Sequence, residues 1–354
     1  MKPLCKNFSS DNTGGISPAI LAALVAANEG AAAYGTDPWT ARLRDTVREI
    51  FAAPEAEVFA VTSGTAANAL ALSALVPPYG AVYCDTAAHI ANDECGAPEF
   101  FTGGARLITL PSRDGRFSPD ALAEHIKAHR ATSVHKSLPT AISISQATEW
   151  GTVYSAAHVQ RIGATARALG LALHMDGARF ANALAALGGT PASLSWQAGI
   201  DVLSLGATKN GAMAAEAVIF FRPDLAQEFA RRRKRAGHLW SKSRFLSAQL
   251  IAYFTDGLWL SNARQANMMA TLLAEGLMRL DGVLLLQEVH ANAVFAALPE
   301  IMAARLEAGG FLFQRWYLPQ GVPATPGTTP VRFVTGCDIT PPDVNALLHA
   351  AAPG

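Results

Sequence analysis

The stretch Ser204-Leu205-Gly206-Ala207-Thr208-Lys209-Asn210-Gly211 sets a lone lysine among small residues, just after the strand-like run Val202-Leu203-Ser204-Leu205. A lysine there is either a solvated surface charge or an amine placed to form an imine with an aldehyde, its small neighbours leaving room for a flat ring. Two upstream segments bear on the choice. Leu171-Ala172-Leu173-His174-Met175-Asp176-Gly177-Ala178-Arg179 reads as a buried strand ending in an acid. Asp176 can cap the following helix or pair with a protonated ring nitrogen. Val58-Phe59-Ala60-Val61-Thr62-Ser63-Gly64-Thr65-Ala66-Ala67-Asn68 passes from a strand through Ser-Gly-Thr into an Ala-rich helix. That junction is an ordinary N-cap or an anion site, where free N–H groups, hydroxyls and the positive helix end converge on a phosphate.

Phosphate site, acid and lysine, in this order, are the parts that pyridoxal 5′-phosphate (PLP) requires, so PLP is the expected cofactor. At 354 residues the chain is long enough for one large and one smaller domain. Half the residues are hydrophobic, yet no uninterrupted apolar run reaches the length of a membrane span. The start, Met1-Lys2-Pro3-Leu4-Cys5-Lys6-Asn7, lacks the apolar core of a signal peptide, which makes the cytoplasm the expected location and a membrane an unexpected partner. Cys5, Cys84, Cys95 and Cys337 form no CxxC or Cys/His ligand pattern, so four reduced thiols are expected, with neither a disulfide framework nor a metal. Formal charge balances at zero, which removes the electrostatic case for nucleic acid as a partner. Charged residues make up 16% of the chain, below the roughly 25% of soluble proteins, and so sparse a supply suggests surface buried between subunits.

Strand-like runs at 58–61, 81–84, 106–110, 141–145, 171–175, 202–205 and 217–221 alternate with helical stretches at 18–28, 40–51, 66–75, 119–128, 156–169 and 223–233. The alternation predicts an α/β fold with a mostly parallel seven-stranded sheet flanked by helices. Ligands in such sheets bind beyond the carboxyl ends of the strands, and Ser63, His89, Asp176 and Lys209 all follow strand ends. Residues 246–279 read as a long helix or a pair. Short strands at 283–286, 293–298, 311–316 and 331–334 predict a small C-terminal α+β domain, and the Pro/Gly-rich stretch 318–330 a surface loop. The expected division is a large domain over 1–250 and a small one over 251–354. The basic cluster Arg231-Arg232-Arg233-Lys234-Arg235 is either a solvated helix end or a source of an arginine for a cofactor phosphate, across a subunit boundary if need be.

With these parts in place, nearly the whole chain resembles the low-specificity L-threonine aldolases of the aspartate aminotransferase fold (fold type I), and especially their phenylserine aldolase-like branch. Seven landmarks carry the resemblance: Ser9-Ser10-Asp11-Asn12, Tyr34-Gly35-Thr36-Asp37, Ser63-Gly64-Thr65-Ala66-Ala67-Asn68, His89-Ile90-Ala91-Asn92-Asp93-Glu94, His174-Met175-Asp176-Gly177-Ala178-Arg179, Gly206-Ala207-Thr208-Lys209-Asn210-Gly211 and Val331-Arg332-Phe333-Val334-Thr335. The resemblance implies that Lys209 holds PLP as an imine, Asp176 meets its ring nitrogen, and Ser63, Gly64 and Thr65 take its phosphate. It implies that His89 stacks on the ring, oriented by Glu94, where the bland alternative is a structural histidine. Arg332 and Arg179 would grip the substrate carboxylate with Ser10 assisting, Arg179 standing at the cofactor as well; plain ion pairing is the alternative for each. Tyr34 would line the pocket of a neighbouring subunit, or simply be a packed aromatic.

Many members of that family carry a histidine after the strand matching 142–145. This chain reads Ser145-Gln146-Ala147-Thr148-Glu149-Trp150 there, without one. His89 or a held water is then the expected proton acceptor, with Asp93 tuning how the β-substituent is held. The implied reaction is retro-aldol cleavage of an L-β-hydroxy-α-amino acid to glycine and an aldehyde, in a homo-oligomer, a tetramer built from dimers. Transamination and β-elimination use the same lysine, acid and phosphate site and stay open, as does a noncatalytic sensor that kept the fold.

Overall fold

The computed structural model describes residues 7–129, 133–318, 321 and 323–352. The amino-terminal segment read for a signal, with Cys5, and part of the loop expected over 318–330 lie outside the described residues. Seven apolar runs become one sheet: β1 (Glu57–Val61), β2 (Gly80–Asp85), β3 (Arg106–Leu110), β4 (Leu138–Ser145), β5 (Ala172–Gly177), β6 (Val202–Gly206) and β7 (Glu216–Phe220). They lie in the order β1-β7-β6-β5-β4-β2-β3. All run parallel except β7, which is antiparallel to both its neighbours.

Period-two alternation gives the sheet two apolar faces. On β6, Leu203 and Leu205 join one core, with Met175, Ile144 and the helices Pro38–Ile50, Ala156–Leu169 and Arg244–Phe254. Val202 joins the other, with Val218, Phe220 and the helix Gly64–Leu75. Burial of each fully enclosed leucine, isoleucine or phenylalanine stabilises by about 1.5–3 kcal/mol, so a one-residue slip of register would be costly.

A second sheet, in the order β10-β11-β9-β8, is built from β8 (Leu284–Leu285), β9 (Ala293–Pro299), β10 (Gln314–Arg315) and β11 (Thr328–Val334). β8 and β10 are shorter than the runs expected at 283–286 and 311–316. The stretch 246–279 is a pair of helices, Arg244–Phe254 and Leu258–Leu277, parted where Asp256 (φ 51°) and Gly257 (φ 68°) are both left-handed. The long second helix serves both cores: Trp259 and Ala263 pack in the large one, Met269, Leu273 and Leu277 in the small one. The division expected at 250/251 falls inside the helix Arg244–Phe254, whose Leu250, Ile251, Tyr253 and Phe254 lie in the large core.

The helix expected over 223–233 is split into a turn, Pro223–Ala226, and a helix, Phe229–Arg235. The split lets Phe229 enter the core against Phe59 and Phe220, at ring distances of 4.7 and 5.0 Å. Arg233 points inward, donating to the Ala60 carbonyl at 3.2 Å, so the basic cluster is not uniformly solvated. Among the described residues no helix is long and apolar enough to cross a membrane.

Candidate active site

The carboxyl ends of the parallel strands converge on two cavities of about 320 and 570 Å³ that share Asn12, His89, Asp93 and Lys209 in their walls. Asp176 closes β5. Lys209 sits in the short turn Thr208–Asn210 just past β6, and His89 opens a short helix four residues beyond β2. Because β7 runs the other way, its first residue, Glu216, pairs with Gly206 and delivers a carboxylate to the same end of the sheet. The lysine turn can pack this closely only with glycine at 206. A Cβ there would stand 2.5 Å from the Ala178 carbonyl oxygen.

The smaller cavity is lined by Ser63, Gly64, Thr65, Asp176, Lys209 and Glu216. Ser63 caps the helix Gly64–Leu75: its hydroxyl accepts the Ala66 N–H at 3.3 Å. The Gly64 and Thr65 amides, at the first turn, have no acceptor within the helix. They sit at its positive end. Asp176 is 6% exposed and accepts the Asn68 amide at 2.8 Å and the Ala178 N–H at 2.9 Å. Asn68 spends its second N–H on Glu94, also at 2.8 Å. Glu94 in turn meets His89 Nδ1 at 2.9 Å and holds the imidazole toward its charged form, against the opposing effect of burial. Ligand atoms of His89, Glu94 and Asp176 fall within 4.8 Å of one another, a spacing a metal could use. The Asn68 amide donates to both carboxylates, so the four groups also form one hydrogen-bonded chain.

Burial, and Arg179 nearby, push the Lys209 amine below its ordinary range, so a larger fraction is the free, nucleophilic amine. Burial raises Glu216 to about 7, against hydrogen bonds from Thr208 and from the Ala207 N–H, the latter 2.7 Å long.

In the larger cavity Lys209, Arg179, Arg332, Ser10, Asp93 and Glu149 face a wall that includes Phe295, Trp316 and Tyr317. Arg179 makes a two-pronged pair with Asp11, 2.7 and 2.9 Å long. Burial alone would raise the Asp11 carboxyl, but Arg179 holds it below its ordinary value. Arg332, on β11 of the small sheet, stacks its guanidinium 4.1 Å above the Trp316 ring and donates to Gln314, while its Nε has no partner. Burial lowers it to about 10. Of the residues expected from the sequence to touch cofactor or substrate, Tyr34 alone lines neither cavity. It is 50% exposed, with the Lys234 ammonium 4.5 Å from its ring centroid.

Three polar groups of the site escaped the sequence reading: Asn68, Glu149 and Glu216. Asn68 carries a readable signal, as a lone amide in the otherwise apolar run Ala66-Ala67-Asn68-Ala69-Leu70. Glu149 sits in the very stretch searched for a histidine. Burial pushes its carboxyl up to about 7.

The family model for beta-eliminating lyases matches residues 7–300. The chain is 47% identical over 309 residues to the low specificity L-threonine aldolase of a Pseudomonas species (strain NCIMB 10558) and 46% identical over 309 residues to that of Pseudomonas aeruginosa, in each case across 87% of this chain and 88% of the relative. The solved structure of Leishmania major threonine aldolase superposes with a TM-score of 0.90 at 28% identity, covering 98% of both chains. The seven-stranded sheet, its flanking helices and the small antiparallel sheet are therefore those of the fold-type-I enzymes. Cleft, lysine turn and sheet topology agree with these similarities, and the chain belongs to the beta-eliminating lyase family, within its low-specificity L-threonine aldolase branch of carbon–carbon lyases.

Proposed function

We propose that the protein is a PLP-dependent aldolase that cleaves L-threonine, L-allo-threonine or a related L-β-hydroxy-α-amino acid, L-phenylserine among them, to glycine and an aldehyde. The observation that carries the reading is the reach of one cleft from Ser63–Thr65, Asp176 and Lys209 to Arg332. The donor set suits PLP: unbonded amides at a helix N-terminus for a phosphate, a buried carboxylate for a pyridinium, and a desolvated amine for an aldehyde. Bound PLP supplies an electron sink for the bond that breaks.

The chain's own residues do the rest. Asp176, fixed by Asn68 and the Ala178 N–H, would hold the ring nitrogen of PLP in its charged form, and Lys209 would supply the amine that meets its aldehyde. His89, turned by Glu94, would face the bound ring. Arg332 would take the substrate carboxylate, with Ser10 and Arg179 beside it, and so orient the bond to be broken. Asp93 lies next to the β-substituent, which the aromatic wall of the larger cavity shelters.

Assembly as a homo-oligomer, a dimer of dimers working in the cytoplasm, accords with the sparse charge and with the helix Pro18–Ala26. That helix buries only Ile20 and exposes Leu21 (51%) and Val25 (71%). Tyr34, exposed outside its own cavities, is assigned to a neighbour's site. Light scattering should give a mass above one chain; a fully active monomer overturns the assembly. Purified protein should be yellow, lose its colour in Lys209→Ala, and convert threonine to acetaldehyde and glycine. Release of 2-oxobutyrate instead would show β-elimination and refute the aldolase.

A further inference from the structure

We infer that Glu149 is the group that takes the proton from the β-hydroxyl of the substrate. The inference rests on the aldolase reading above. Glu149 stands four residues past the end of β4, on the wall of the cavity that also holds Lys209 and Arg332. Its Oε1 accepts the Ser145 hydroxyl at 2.6 Å and the His89 N–H at 2.8 Å. Two donors from different segments hold Oε1 in place. Oε2 has no hydrogen-bond partner among the described residues. A buried carboxyl oxygen left in that state costs about 1–3 kcal/mol, so a purely structural role accounts for Oε1 and leaves Oε2 unexplained. Glu149 belongs to the cavity wall, and a substrate hydroxyl that reached Oε2 would supply the missing donor.

Acidity agrees with the geometry. Burial lifts Glu149 to about 7, with Asp176 adding to the lift and Ser145 opposing it, so the carboxylate accepts a proton at neutral pH more readily than an exposed glutamate. The rival acceptor is His89. Its Nδ1 is engaged by Glu94, which holds the ring toward imidazolium and makes it a poor base.

In the step itself the O–H bond breaks and the proton passes to Oε2. The O–H electron pair becomes the second bond of the aldehyde carbonyl as Cα–Cβ breaks, and the Cα–Cβ pair is taken up by the conjugated system of bound PLP. The proton exchanges from Glu149 to solvent once the aldehyde has left.

Glycine has no β-hydroxyl, which separates this role from cofactor or substrate binding. In Glu149→Gln holoenzyme, whose amide oxygen can still accept from Ser145 and His89, threonine cleavage should slow by ~10²-fold or more. The glycine dissociation constant by calorimetry and the α-proton exchange of glycine in heavy water should match wild type. Cleavage at the wild-type rate, or a parallel loss of glycine binding, overturns the assignment. If the glutamine variant does not fold, Glu149→Asp, which keeps the charge but withdraws it by one methylene, is read by the same two measurements. Wild-type protein that releases no glycine and aldehyde overturns the aldolase reading and this assignment with it. Wild-type cleavage alongside an unimpaired glutamine variant overturns this assignment alone.

Discussion

Replacing Arg332 by leucine should separate catalysis from stability. In the folded protein this guanidinium donates to Gln314, stacks on Trp316 and leaves Nε without a partner. The variant forfeits one hydrogen bond to a charged donor, about 1.5–3 kcal/mol, and a cation–π contact, about 0.5–2 kcal/mol. It also removes an orphaned buried donor, which costs about 1–3 kcal/mol, and lays an aliphatic side chain against the indole. These terms nearly cancel, so the urea midpoint should shift by the equivalent of no more than ~1 kcal/mol. Catalysis has no such compensation. Losing a two-pronged contact to the substrate carboxylate, at about 1.5–3 kcal/mol per hydrogen bond, should lower kcat/KM for threonine by roughly 10²- to 10⁴-fold. Acetaldehyde release coupled to NADH oxidation measures the first quantity, and urea unfolding followed by fluorescence the second. A kcat/KM within threefold of wild type, a difference below ~1 kcal/mol, would place the carboxylate elsewhere and refute the reasoning.

Asn68→Ala strips an N–H from both Asp176 and Glu94; a destabilisation of about 1–3 kcal/mol and a weaker PLP dissociation constant are expected, and an unchanged urea midpoint would contradict the chain of bonds described here. Gly206→Ala drives a Cβ to 2.5 Å from the Ala178 oxygen, so overpacking of about 1–3 kcal/mol should appear in unfolding, and PLP incorporation should fall because the lysine turn is displaced. His174 is fully buried between Ser143 and Ser204, at 2.9 Å from each, and burial lowers it to about 4. The unfolded chain binds this proton below about pH 6.5 and the native state only near 4, so stability should decline across that window by about 3 kcal/mol, and a His174→Asn variant should lose that part of the acid slope if it still folds.

The strands of the large sheet were legible because each is a short run of β-branched and apolar residues between polar segments, and Lys209 and Asp176 stood out because each follows such a run, in order after the Ser63–Thr65 junction whose cavity they share. The direction of β7 was not. Glu216-Ala217-Val218-Ile219-Phe220 is apolar on both faces and reads the same way in either orientation, so the arrival of Glu216 beside Gly206 could only come from topology. Glu149 was hidden differently. Its surroundings, Thr148 and Trp150, give no periodic signal, and its acidity depends on Asp176, His89 and Ser145, which only the folded sheet brings near. The shortened β10 has a similar cause: Trp316, read as the end of a strand, turns to stack on Tyr317 at 4.9 Å, and both wall the cavity.

Asp11 receives hydrogen bonds from Arg179 and from Asn292, the latter 281 residues further along, while Phe8 packs in the small core and its carbonyl accepts the Val334 N–H at 2.7 Å. On a translating ribosome Asn292 and Val334 appear late. At about 5–20 residues per second, the segment around Asp11 waits roughly 15–60 s after its own synthesis before Asn292 is made, and longer before β11 emerges from the exit tunnel. Until then Asp11 lacks its Asn292 donor, and Arg332 has not been made. A nascent chain halted before Asn292 should therefore remain without aldolase activity even though Ser63, Asp176 and Lys209 have already been synthesised.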